Sequence, residues 1–88
     1  MLLQDKIAVV TGASRGIGRA TAKALAREGA VVIVNYNGSK ERADEVVSEI
    51  EKDGGKAKAI QCNVSDFEQA KEFFGGVVKE YGRIDILV

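Results

Sequence analysis

Ile7-Ala8-Val9-Val10-Thr11-Gly12-Ala13-Ser14-Arg15-Gly16-Ile17-Gly18 is the stretch whose reading decides the fold. Its first four residues form an unbroken apolar run, rich in β-branched side chains. A half-solvated strand would alternate polar and apolar residues, so a continuous run of this length suits a strand covered on both faces of a parallel sheet. Thr11-Gly12 halts the run, and a helical pattern opens at Gly16. Gly12 permits a tight turn, Gly16 lets the backbone approach a bulky group with no Cβ in the way, and Gly18 lets the helix pack closely on the sheet. Three closely spaced glycines mean little alone; lying after a strand and before a helix, they mark a loop built to receive something.

Outward from this segment the pattern repeats. Val31-Val32-Ile33-Val34 is a second apolar run, Ala57 to Gln61 a weaker third, and Ile84-Asp85-Ile86-Leu87-Val88 a fourth. The first helix is expected from Gly16 to Glu28, with Ile17, Ala20, Ala24 and Leu25 on one face and Gly29 at the C-cap. The second runs from Ser39 to about Lys52, carries the stripe Ala43, Val46, Val47 and Ile50, and stops at Gly54-Gly55. The third opens on Ser65-Asp66-Phe67-Glu68, which reads as a capping box. Phe67, Ala70, Phe73, Phe74, Val77 and Tyr81 then line one face, and Gly82 ends it. Gly75-Gly76 interrupts this helix at about 1 kcal/mol each relative to alanine. The pair reads as a tolerated weakness or slight kink, or else as a close approach to another element.

The order β-α-β-α-β-α-β, without repeat or linker, predicts an α/β fold: a Rossmann-type doubly wound parallel sheet with strand order 3-2-1-4. The first two helices should cover one face and the third the other. The topological switch then lies between strands one and four, and ligands bind beyond the carboxyl ends of strands at such a point.

Composition bounds the function classes. Eighty-eight residues make one small domain, at 45% hydrophobic and 30% charged. Thirteen basic side chains balance thirteen acidic ones, so no net field draws the chain to nucleic acid or membrane. There is no apolar stretch near the roughly 20 residues of a membrane helix. Met1-Leu2-Leu3 runs straight into Gln4-Asp5-Lys6, unlike a signal peptide. Cys62 stands alone, which fits a reducing cytoplasm, and reads as a small packed side chain at a strand end. Without histidine there is no imidazole base and no histidine-ligated metal, and a single cysteine makes no metal cluster. No metal site is expected.

At the start of the first helix, unpaired N–H groups and the positive end of the dipole face outward, a ready site for an anion such as a dinucleotide pyrophosphate. A purely structural turn is the competing reading. An acidic residue after the second strand would bond the adenosine ribose hydroxyls and repel a 2′-phosphate. Asn35-Tyr36-Asn37 occupies that place, with no carboxylate. Arg15 is placed to pair with such a phosphate, with Lys40 and Arg42 close in sequence; otherwise these are solvated surface charges. The balance favours NADP(H) over NAD(H).

The spacing Gly-x-x-x-Gly-x-Gly, read as Thr11-Gly12-Ala13-Ser14-Arg15-Gly16-Ile17-Gly18, resembles the cofactor fingerprint of the short-chain dehydrogenases/reductases. Asn63-Val64 is similar to the family's acidic-or-amide plus Val pair at the adenine. Asp85-Ile86-Leu87-Val88 is similar to the strand leading into its Asn-Asn-Ala-Gly turn. The resemblance covers the whole chain, and within the family is strongest to 3-oxoacyl-(acyl-carrier-protein) reductases. It implies phosphate contacts from Gly12, Ser14, Arg15, Gly16, Ile17 and Gly18, a ribose contact from Asn37, and adenine contacts from Asn63 and Val64. Asn63 as a simple turn residue is the alternative.

Family catalysis uses a Tyr-x-x-x-Lys pair with a Ser and commonly an Asn, and no catalytic residue is assigned in residues 1–88. The match Tyr36-Asn37-Gly38-Ser39-Lys40 lies on the adenosine side and is rejected. Tyr81 belongs to an apolar stripe. Residues 1–88 therefore read as the N-terminal NADP-binding part of a single Rossmann domain. The parent would be a cytoplasmic NADPH-dependent reductase, usually tetrameric in this family, acting on an acyl-carrier-protein thioester or another ketone. A minimal dinucleotide-binding module without catalysis is one alternative. Association through an open, apolar fourth strand is another.

Overall fold

The computed structural model describes residues 2–12 and 16–88. Strands β1 (Ile7–Val10), β2 (Val31–Tyr36), β3 (Lys56–Gln61) and β4 (Ile86–Leu87) alternate with helices α1 (Gly16–Arg27), α2 (Lys40–Lys52) and α3 (Phe67–Tyr81). All strand pairs are parallel and the sheet order is β3-β2-β1-β4. The strand order matches the expectation.

The pleat sorts β1 and β2 into two cores. Ala8, Val10, Val32 and Val34 face α1 and α2, where they meet Ala22, Ala26, Ala43, Val46 and Ile50. Ile7, Val9 and Ile33 face α3 and pack against Phe73, Val77 and Cys62. Every residue of β1 is buried, as a continuous apolar run requires. Edge strand β3 instead alternates exposed Lys56 and Lys58 with half-buried Ala57 and Ala59. Lysines along an open edge discourage pairing with other chains.

Helix α1 turns a different face inward from the one its pattern suggests. Ala22 and Ala26 are buried and Leu25 is half-buried, whereas Ala20 and Ala24 are exposed and Ile17 is 86% exposed. Alanines recur at every second position from 20 to 26, so apolar periodicity cannot choose among faces. The face turned inward puts Ala22 and Ala26 in one core with Ala43, Val46 and Ile50 of α2, and charged groups brace the same pair of helices. Arg19 bonds Glu49 and also approaches Glu45 at 3.8 Å, and Lys23 Nζ lies 3.0 Å from Glu49 Oε2. The Lys23 ammonium and the Arg19 guanidinium hold the Glu49 carboxyl below the usual carboxylate range.

The start of α3 is shifted by one residue from the expected capping box. Asp66, not Ser65, is the N-cap: its Oδ1 accepts from Gln69 N at 3.1 Å. The Gln69 side chain reaches back to accept from Asn63 N at 3.2 Å. Phe73 and Val77 are buried and Phe74 and Tyr81 half-buried, but Phe67 is 75% exposed. Phe67 occupies the first helical position, beyond the strand ends that the rest of the stripe covers. Gly75 and Gly76 are exposed, and an added Cβ at either would meet nothing within 4 Å. Close packing against another described element is therefore not their reason. Gly29 differs: at φ +97° its missing Cβ would lie 2.9 Å from Gln4 Cα, so the turn from α1 into β2 needs glycine on two grounds.

Strand β4 is shorter than its apolar run, and Asp85 supplies the missing pairing. Asp85 N donates to Ile7 O at 2.9 Å while Asp85 Oδ2 accepts from Ile7 N at 2.8 Å and from Arg83 Nε at 2.9 Å. The carboxylate thus satisfies a backbone donor at the buried start of β1. The Ile7 amide, followed by the Arg83 charge, holds Asp85 below the usual carboxylate range. No described helix is long and apolar enough to cross a membrane.

Two outcomes follow from these contacts. A group whose folded pKa is depressed contributes stability above its unfolded pKa and loses it as pH falls through the folded value. Thermal melts should therefore fall as pH drops below about 4, and Asp85→Asn should flatten that acid limb while lowering the melting temperature at neutral pH. Gly75→Ala and Gly76→Ala should each stabilise by about 1 kcal/mol, read as a rise in the melting midpoint, because neither new methyl displaces a neighbour.

Candidate functional site

Because all four strands are parallel, every loop that leaves a carboxyl end lies along one edge of the sheet. The N-termini of α1, α2 and α3 open on that same edge. Helix starts expose N–H groups and the positive end of the dipole, which favours an anion at a start that carries no acidic side chain. Glu41 and Glu68 offset this in the first turns of α2 and α3, whereas α1 has no acidic residue in its first turn. The start of α1 is therefore the position best suited to an anion.

Gly12 and Gly16 flank this point. Gly12 takes φ +64° directly after Thr11, a left-handed turn that L side chains rarely adopt, and a Cβ there would project into open space. Gly16 has φ +60° and opens α1, with the same open space around it. Ile17 is exposed beside it, and Gly18 is half-buried within α1. Ser14 and Arg15, expected to contact phosphates, lie outside the described residues. Thr11 holds the turn to the far side of the switch point: its N and Oγ1 each donate to Val88 O at 2.9 Å, and Val88 N donates to Val9 O at 2.9 Å.

The ends of β2 and β3 form the neighbouring part of the edge. Asn35 is 2% exposed, and its Nδ2 donates to Ile60 O at 3.4 Å and Cys62 O at 3.2 Å, tying β2 to β3. Asn37 lies just past β2, exposed, and takes two hydrogen bonds from Gln61. Tyr36 is half-buried against the α1–α2 core. Lys40 pairs with Asp44 at 2.9 Å along α2, which raises its pKa and partly neutralises it as a phosphate partner. Arg42 N donates to Ser39 Oγ, the α2 N-cap, at 3.4 Å.

Asn63 and Val64 follow β3. Asn63 Oδ1 accepts from Ser65 N at 3.0 Å, so this residue does shape the turn, and a contact with a ligand would come in addition. Val64 is partly exposed at 40%. Cys62 is buried, and desolvation, with the nearby Asp66 carboxylate, pushes its thiol pKa up. A buried, protonated thiol is a packing group, not a nucleophile. Among the described residues no cluster of three metal-ligating side chains occurs.

The fold carries Gly12, Gly16, Ile17, Gly18, Asn37, Asn63 and Val64 to one edge of the sheet. The hydrogen bonds of Thr11, Asn35 and Gln61 join segments distant in sequence and are not legible in the chain. Asn35 alone left a signal, a polar residue closing an otherwise apolar run.

Comparison with known proteins places this edge in context. Residues 6–88 match the family model of the short chain dehydrogenases. The chain is 55% identical over 86 residues to an uncharacterized oxidoreductase of Methylorubrum extorquens, covering 98% of this chain and 35% of the relative. It is 52% identical to the trihydroxynaphthalene reductase of Colletotrichum orbiculare (97% and 30% covered) and 51% identical to the 3-oxoacyl-(acyl-carrier-protein) reductase of Staphylococcus epidermidis (96% and 34% covered). It thus spans about a third of these relatives' length. A metagenomic short-chain oxidoreductase solved in complex with NADP superposes with a TM-score of 0.95 at 39% identity, over 99% of this chain and 39% of that one. A short chain dehydrogenase from Burkholderia cenocepacia, also in complex with NADP, gives 0.91 at 46% identity, over 99% and 36%. On its sequence match and its strand order together, the chain belongs to the short-chain dehydrogenase/reductase family.

Proposed function

We propose that residues 1–88 form the NADP(H)-binding part of a single Rossmann domain in a reductase that converts a carbonyl to an alcohol. The observation that carries this reading is the α1 entrance. A left-handed Gly12, a glycine at the first helical position and a first turn of α1 without an acidic side chain put a helix N-terminus at the carboxyl edge of β1. These residues fit a pyrophosphate: among the described residues nothing lies within 4 Å of where a Cβ would stand at Gly12 or Gly16. Ser14, Arg15, Ile17 and Gly18 complete the phosphate-binding set.

The residues past β2 and β3 support the choice of dinucleotide. Asn37, in place of a carboxylate, neither repels a 2′-phosphate nor accepts strongly from free ribose hydroxyls. Arg15 supplies its countercharge, and Asn63 and Val64 meet the adenine. When bound, the cofactor supplies hydride. The chain's own residues would hold its phosphates and adenosine, and Thr11 braces the end of β4 beside them. No catalytic side chain is assigned among these residues. Two solved relatives in complex with NADP support the same cofactor.

For substrate, we favour a 3-oxoacyl thioester on acyl carrier protein, in a cytoplasmic and tetrameric enzyme. A trihydroxynaphthalene reductase at nearly equal identity supports a second reading, a different ketone substrate. The edge strand β4, where Leu87 is 60% exposed, favours self-association of the 88-residue chain if it is made in isolation.

Cofactor titration of the full chain tests the central reading. NADPH should bind at least about tenfold more tightly than NADH, the magnitude of one hydrogen bond to a charged group; equal or tighter binding of NADH would reverse the cofactor assignment. Sedimentation of the isolated 88 residues should show concentration-dependent association, and a stable monomer at micromolar concentration would remove the β4 reading.

A further inference from the structure

Gln61 closes β3 at the carboxyl edge, opposite Tyr36 in the parallel register. Its side chain crosses to the residue past β2. Gln61 Nε2 lies 3.4 Å from the backbone O of Asn37 and 3.2 Å from Asn37 Oδ1. The two ends of an amide have nearly the same shape, so their identity must come from their partners. Here the partners settle it. A backbone carbonyl can only accept, so the end of Gln61 that touches it is the NH2. That NH2 can only donate, so the Asn37 atom it touches is the oxygen. The oxygen of Asn37 is thereby aimed at β3, and its own NH2 is turned away from β3.

An asparagine held in this way does not behave as a free amide. A free one can rotate to present either an acceptor or a donor to an adenosine ribose. The unphosphorylated ribose is recognised through acceptors, as when a carboxylate takes its hydroxyl protons. A 2′-phosphate offers only acceptor oxygens and asks for donors. We infer that Gln61 is a positioning residue for cofactor choice: by locking the Asn37 amide with its NH2 outward, it favours a 2′-phosphorylated adenosine over an unphosphorylated one. This deepens the proposed function and rests on its placement of the ribose beside Asn37.

The test uses 2′,5′-ADP and 5′-AMP as probes, measured by calorimetry on the full chain, so that no hydride transfer is needed. The unsubstituted chain should prefer 2′,5′-ADP. Gln61→Thr, a substitution that suits an exposed strand end, should cut that preference about tenfold by weakening 2′,5′-ADP binding while leaving 5′-AMP unchanged. Asn37→Ala should cut it similarly, and adding Gln61→Thr to Asn37→Ala should have no further effect, because the glutamine acts only through the asparagine. Gln61→Val serves as a second variant, with thermal melts confirming that each remains folded. An unchanged preference in either folded Gln61 variant, or in Asn37→Ala, would overturn the role of Gln61 while leaving the NADP(H) reading in place. So would a Gln61→Thr effect of equal size with and without Asn37. An unsubstituted chain with no preference for the 2′-phosphate would overturn both.

Discussion

Strand β1 is paired on both edges and covered on both faces, and the remaining architecture is arranged around that double burial. With β2 on one side and β4 on the other, the chain reverses its direction of progress across the sheet at β1. Ligands bind beyond the carboxyl ends of strands at such a reversal. The seam between β1 and β4 is fastened at both ends by polar groups. Asp85 pairs the amide of Ile7 at the entry, and Thr11 bonds the carbonyl of Val88 at the exit. With only two residues of regular strand in β4, these contacts do what a longer ladder would otherwise do.

What the carboxyl edge of the sheet offers an anion comes from helix starts and not from an excess of basic residues. Acidic and basic side chains balance over the chain, yet three helix starts open on one edge. Asn37 and Asn63 each direct an oxygen into the protein, toward Gln61 and the Ser65 amide.

The charged side chains elsewhere are mostly braces. Arg19, Lys23 and Glu49 are each roughly one-third exposed, and surface pairs of that kind contribute about 0–1 kcal/mol. They accompany the apolar packing of Ala22 and Ala26 in one core with Ala43, Val46 and Ile50 of α2.

The sequence by itself determined the order of elements, the two-faced burial of β1 and the glycine turn that opens α1. Each depends on residues adjacent in the chain, whose periodicity or backbone freedom is legible without a partner. It was also enough to place Gly12, Gly16, Asn37 and Asn63 at strand ends. The inward face of α1 was not legible, because alternating alanines offer several equivalent stripes. Nor was the solvent exposure of Phe67, which depends on where the sheet stops beneath α3. Asp85, Asn35 and Gln61 read as ordinary polar residues until the sheet brought Ile7, Cys62 and Asn37 beside them. Tertiary structure decided their roles, because a hydrogen bond between residues 24, 27 or 78 positions apart leaves no local pattern in the chain.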